Sequence, residues 1–134
     1  MKVYAVIDTN VLVSALYTTN EKAATARLMR ALANGRFRTL YNDDIIKEYQ
    51  EVLNRGKFDF DKELVEVLIE SVISHGMEAS RIESGEQFPD PDDAVFYEVA
   101  MSKDGAYVVT GNTKHFPRKP IVVTPAEMVE LLGI

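Results

Sequence analysis

The chain contains no cysteine, only two histidines, and no apolar run that reaches the ~20 residues needed to span a bilayer. The first absence excludes disulfides, thiolate zinc sites and a cysteine nucleophile, and it accords with a reducing cytoplasm, where the protein is expected. With the usual zinc ligands missing, a metal ion would have to be held by oxygen. The first residues lead straight into a strand-like segment without a basic stretch and cleavage site, so no signal peptide and no membrane partner is expected. Positive charge is also in deficit. Fifteen Lys and Arg face 21 Asp and Glu, for a net charge of −6, whereas binding to a polyanion usually needs a basic footprint. Two routes escape that objection: acids gathered at one point can be neutralised by cations, and basic residues can gather on one face. Local basic clusters do occur, at Arg27 and Arg30, Arg36 and Arg38, Arg55 and Lys57, and Lys114 to Lys119.

What remains is the composition of a soluble globular protein: 134 residues, 46% hydrophobic and 27% charged, the size of a single domain over residues 1–134. No repeat, linker or low-complexity tract divides it. Val3 to Ile7 has the continuous β-branched apolarity of a strand buried on both faces. A short buried helix opened by Asn10 is predicted for Val11 to Tyr17, and an amphipathic helix for Glu21 to Asn34, stopped by Gly35. Phe37 to Tyr41 reads as a strand, after which Asn42 caps a helix with Ile45, Ile46, Tyr49, Val52 and Leu53 on its apolar face. Lys62 to His75 is a further helix, ended by Gly76, and Glu78 to Ile82 is a candidate strand. Asp90-Pro91-Asp92-Asp93 opens a helix through about Lys103. Asp104-Gly105 is a turn, and Ala106 to Thr110 and Ile121 to Thr124 are strands. Thr124-Pro125-Ala126-Glu127 is a capping box that starts the last helix. Strands alternating with helices imply a mostly parallel sheet of about five strands, covered on both faces. In such sheets ligands bind outside the carboxyl ends of the strands, where Asp8 ends the first strand and Thr110 to Asn112 the fourth.

Three acids border buried segments. Asp8 interrupts VYAVIDTNVLVSAL, the most hydrophobic segment, where a turn or helix cap competes with a metal site as its explanation. Glu48 lies about 40° outside the apolar arc of its helix, at the seam with solvent. Asp93 borders the stripe of Val95, Phe96, Val99 and Ala100, although two aspartates in a first turn also make an ordinary helix start. Together, three such carboxylates repel one another unless a proton or a cation compensates them. Hard divalent cations bind through oxygen, and magnesium pairs one or two carboxylates with waters and substrate phosphate. That chemistry cuts phosphodiesters. His75 reads as a helix-terminal residue, and His115 lies near the site, where it can touch substrate.

The segments VIDTNVLVSAL, IIKEYQEVL, DPDDAVFYEVA and VVTGNTKHF, in this order, resemble the PIN-domain family and most closely the toxin components of VapBC-type toxin–antitoxin pairs. The resemblance spans nearly the whole chain. It implies a three-layer α/β/α sandwich and a magnesium- or manganese-dependent endoribonuclease acting on RNA, with an antitoxin protein as partner and a homodimer as assembly. By the same resemblance Asp8, Glu48 and Asp93 are the acidic ligands and catalytic residues. Asn112 stands where many members carry a fourth acid, and its carbonyl oxygen is the fourth expected ligand. Asp90, Thr9, Asn10 and Thr110 are supporting residues, and Lys114, His115 and Arg118 are candidates for substrate binding. A haloacid-dehalogenase-type phosphatase resembles Asp-x-Asp at the first strand, where this chain has Asn10. A receiver domain would need Lys119 after its strand, and here it precedes it. The remaining rival is a PIN-like module that binds RNA or protein without cutting.

Overall fold

The computed structural model describes residues 2–134. Five strands, β1 (Tyr4–Ile7), β2 (Arg38–Tyr41), β3 (Gly76–Glu78), β4 (Tyr107–Val109) and β5 (Val122–Val123), form one sheet. Its order is β3-β2-β1-β4-β5, and every neighbouring pair is parallel. Six α-helices join and cover the strands: α1 (Thr9–Tyr17), α2 (Ala24–Ala33), α3 (Asp43–Leu53), α4 (Lys62–Ser74), α5 (Ala94–Ala100) and α6 (Pro125–Leu132). The result is the expected three-layer α/β arrangement. No helix among the described residues is long and apolar enough to cross a membrane.

The central strand shows why the layers are needed. Ala5, Val6 and Ile7 are all fully buried, so β1 loses water from both faces, as its unbroken apolar sequence demands. Phe37, Leu40, Ile45, Tyr49, Phe96 and Met128 complete the same core from other elements. Caps fix several helix starts. The Asn42 side chain accepts from the Ile45 N–H and opens α3, and Thr124 and Glu127 form the reciprocal capping box at α6.

Several boundaries differ from the sequence reading. Helix α1 begins at Thr9, with Asp8 at the cap position, so Asn10 lies within the first turn and does not open the helix. Helix α2 starts at Ala24, because the Asn20 side chain draws residues 20–22 into a local turn. Helix α5 closes at Ala100 and is preceded by a separate 3₁₀ turn, Pro91–Asp93. The third strand is Gly76–Glu78, two residues earlier than expected, and it ends at Glu78, where the candidate strand Glu78 to Ile82 began. Helix α4 ends at Ser74 with His75 as its cap, and Gly76, expected as the helix stop, is the first residue of β3. A Cβ there would stand 2.0 Å from Thr39 Oγ1 and 2.7 Å from the Thr39 carbonyl oxygen, so only glycine permits this close approach of β3 to β2.

Strand order places the site. From β1 the chain moves outward through β2 and β3, then returns to the other side of β1 as β4. The order reverses between β1 and β4, and their carboxyl ends flank the crevice where open α/β sheets bind ligands.

Candidate active site

Asp8 follows β1 directly and is 4% exposed. Its backbone occupies the cap position of α1, yet its side chain makes no capping bond. The carboxylate is instead held across the sheet: Oδ2 accepts from the Thr110 hydroxyl at 2.8 Å and from the Asn10 amide at 3.0 Å. Parallel register explains the first bond. Ile7 pairs with Val109 and the Asp8 N–H donates to the Val109 carbonyl, so residues 8 and 110 leave adjacent strands side by side. Thr110 is fully buried, and its hydroxyl oxygen accepts the Asn112 N–H at 3.0 Å, which leaves the hydroxyl proton for Asp8. Asn10 completes the clamp, its Oδ1 accepting the Gly111 N–H at 3.1 Å.

Glu48 is half-buried on α3, and its Oε2 accepts the Thr9 hydroxyl at 2.5 Å. The next residue, Tyr49, sends its hydroxyl into the core to donate to the Ile7 carbonyl. That bond pins α3 to the last residue of β1, one position before Asp8, and so sets how close Glu48 comes. Sequence reading took Tyr49 only as part of an apolar stripe. The signal it carried is that a buried tyrosine hydroxyl requires a partner.

Asp93 ends the 3₁₀ turn that Asp90 opens by accepting the Asp92 N–H at 3.0 Å. Its Oδ2 lies 3.5 Å from His115 Nδ1, on the short turn Thr113–His115 that follows β4. Asp90 is exposed and engaged as a cap. Asn112 is exposed, and its backbone rather than its side chain bonds to Thr110. Lys114 and Arg118 are exposed beside them and, with Lys119, line a cavity of about 660 Å³ that has no acidic residue in its wall. His75 caps α4, its Nδ1 3.0 Å from the Ser71 carbonyl oxygen, away from these groups.

Electrostatics join the three acids. Burial pushes the Asp8 carboxyl up to about 6; the Thr110 bond opposes the shift, and the charges of Asp93 and Glu48 add to it. Burial likewise raises Glu48, against the Thr9 bond and with the Asp93 charge. Asp93 is raised by burial and by Asp90, and lowered by His115. Among the described residues no group of three or more acidic, imidazole or thiol side chains stands close enough together to hold a metal ion. Glu48 and Asp93 are drawn instead toward Thr9 and His115. The donor chemistry nevertheless fits a hard divalent cation: it is all oxygen, and the charged forms are disfavoured by burial and by one another. A cation reverses both penalties at once.

The PIN domain family model matches residues 4–114, from the first residue of β1 to the turn that carries His115's neighbour Lys114. Comparison with curated proteins and with solved structures returned no match. The matched stretch takes in Asp8, Glu48, Asp93 and the β1–β4 crevice between them, and on that footing the chain belongs to the PIN domain family.

Proposed function

We propose that the protein is a divalent-cation-dependent endoribonuclease that hydrolyses RNA phosphodiester bonds at the β1–β4 crevice. The observation that carries this reading is the electrostatic coupling of Asp8, Glu48 and Asp93. Three separate elements deliver them, and Asp8 is buried with donors that orient but do not neutralise it. Structural acids are normally paired with bases, as Glu98 is with Arg81 at 2.6 Å. These three have only hydroxyls, an amide and one imidazole.

Asp8, Glu48 and Asp93, with the Asn112 carbonyl oxygen, are the residues that would hold magnesium or manganese. When bound, such an ion supplies positive charge to the phosphodiester and lowers the pKa of an attacking water. The chain's own residues do the rest. Thr110 and Asn10 fix Asp8, so no rotamer search is left at the moment of binding. Thr9 holds Glu48 toward β1. His115 stands against Asp93, and the charges of Lys114 and Arg118 attract the backbone phosphates. Single-stranded segments are the expected substrate, since their phosphates and bases are open to contact.

The order of the four motifs supports a finer reading, a cytoplasmic toxin that forms a homodimer and is restrained by an antitoxin protein. The second reading, a module that binds RNA or protein without cutting, is favoured by Asn112 in place of an acid and by the spacing of the acids. One comparison separates them: RNA cleavage by the parent and by Asp8→Asn, with magnesium or manganese and with a chelator. Cleavage that needs the metal and is lost in Asp8→Asn supports the nuclease. Equal cleavage by both proteins overturns the site, and no cleavage by the parent transfers the reading to the binding module.

A further inference from the structure

The opposite end of the sheet carries a second concentration of positive charge. Arg27 and Arg30 project from the same side of α2, three residues apart. After the helix, Gly35 takes a left-handed conformation (φ 69°) and the chain doubles back. The Gly35 N–H donates to the Leu32 carbonyl and the Arg36 N–H to the Ala31 carbonyl at 2.9 Å, which brings Arg36 over the end of the helix that carries the other two. The three arginines, Asn34, Ala31 and Ile134, whose α-carboxyl ends the sequence, line a cavity of about 210 Å³. Arg38 begins β2 beside it, and Lys2 joins the same end, its Nζ donating to the Gly35 carbonyl at 2.9 Å.

In a chain of net charge −6, no acidic side chain lines this cavity. Among the described residues no carboxylate comes within 4.0 Å of Arg27, Arg30 or Arg36, whereas Arg55 and Arg81 each have one. A backbone contact accounts for part of the cluster. Arg30 reaches back along α2 and donates to the Glu21 carbonyl, ahead of the helix start, at 2.5 Å. That contact does not account for Arg27 or Arg36. The cavity is small and three arginines line it, which suits a compact tetrahedral oxyanion.

We infer that Arg27, Arg30 and Arg36 form a phosphate-binding site, and that its ligand is a backbone phosphate of an RNA strand that also reaches the crevice. The choice of RNA rests on the nuclease reading; the anion site does not. Lys2 and Asp8 are the two ends of one extended segment, so the site lies roughly 20 Å from the acids along the sheet. It is therefore an anchoring contact, separate from the residues that act on the bond to be cut. It suggests how an acidic protein holds a polyanion: positive charge is gathered here, away from the acids of the crevice, and again at Lys114 to Lys119.

The test is RNA binding by fluorescence anisotropy, with a single-stranded 20-nucleotide RNA, in chelator and across a salt series. The parent is compared with Arg27→Gln/Arg36→Gln and with Arg27→Lys/Arg36→Lys. Both side chains are exposed, so all three proteins should melt alike. The glutamine pair should bind roughly tenfold more weakly at 0.15 M salt, and its salt slope should fall by about 0.7, the value of one phosphate contact on a single strand, while the lysine pair keeps the parental slope. Inorganic phosphate should displace RNA from the parent more readily than sulfate-free chloride at equal ionic strength. An affinity and slope unchanged by the glutamine pair overturn the site. Phosphate binding by calorimetry that the glutamine pair loses, with RNA binding unaffected, overturns the RNA ligand and leaves a site for a free phosphate compound. Because no cleavage is read, failure here leaves the Asp8→Asn comparison untouched.

Discussion

The Thr110 hydroxyl meets the Asp8 carboxylate at 2.8 Å across 102 positions of sequence. Both groups are buried, and this bond opposes the burial that pushes Asp8 up to about 6. Thr110→Val keeps the shape and removes the donor. Asp8 should then titrate above 6, read from its carboxyl carbon by NMR. At pH 7.5 the variant should lose about 1–3 kcal/mol of stability, the usual consequence of stripping one partner from a buried charged group. At pH 4.5, where Asp8 is protonated in both proteins, the gap should narrow. A pH-independent gap would mean that Thr110 acts through packing and its bond from the Asn112 N–H, and not through the Asp8 charge.

Asp8 also sets a pH dependence of stability whose sign is opposite to that of a paired carboxylate. Its folded pKa is raised, from 3.8 to about 6, so the folded state binds the proton more tightly than the unfolded chain. The stabilisation is fully present below about 3.8 and is lost as pH rises through 6, a change of about 3 kcal/mol at most. Glu48 and Asp93 shift in the same direction, while Glu98 is lowered by Ser84 and Arg81 despite its burial and works the other way. Comparing parent and Asp8→Asn isolates the one group. In urea denaturation with chelator present, the stability of Asp8→Asn relative to the parent should rise between pH 4.5 and pH 7.5. A flat difference would show that Asp8 ionises freely.

Tyr49 ties α3 to the end of β1 through its bond to the Ile7 carbonyl. Tyr49→Phe preserves the ring packing against Phe96, whose centroid lies 6.4 Å away, and leaves a buried carbonyl without its partner. A loss of about 1–3 kcal/mol in urea denaturation is expected. If the nuclease reading holds, cleavage should also slow, since Glu48 rides on the same helical turn. Stability equal to the parent would mean that the freed carbonyl finds another donor.

The fold was legible where chemistry is local and periodic. The apolar run of β1, the Asn42 cap, the Thr124–Glu127 box and the stripes of α3 and α4 each point to one structure. Strand β3 was expected but placed too late, at Glu78 to Ile82, because Gly76 looks like a helix stop and its place in the strand appears only when Thr39 of another strand packs against it. The site shows the same division. Asp8, Glu48 and Asp93 stood out as acids bordering buried segments, but sequence does not tell which partner each carboxylate finds. The Asn10–Asp8–Thr110 clamp depends on parallel register, and the Tyr49–Ile7 bond on how α3 crosses β1. Asn112 illustrates the converse: the motif marks a side chain, whereas the structure engages its backbone.

A cation should change the balance among these acids in a way that calorimetry and melting both read. With magnesium or manganese absent, the ionised cluster is unfavourable, and Asp8 carries the largest share, being the most buried of the three. Ion binding needs the carboxylates deprotonated, so below pH 6 each ion bound should release protons, and affinity should fall as the pH drops. At pH 7.5, saturating metal should raise the melting temperature of the parent; at a hundred times the dissociation constant the linkage is worth about 2.7 kcal/mol. Asp8→Asn keeps the fold and the Thr110 contact site but loses the central charge, so its melting temperature should respond little to the same concentrations. Lys114→Gln should respond as the parent does, because it removes charge from the substrate side alone. Identical metal-induced shifts in the parent and in Asp8→Asn would remove Asp8 from the ligand set and move the ion elsewhere on this acidic chain.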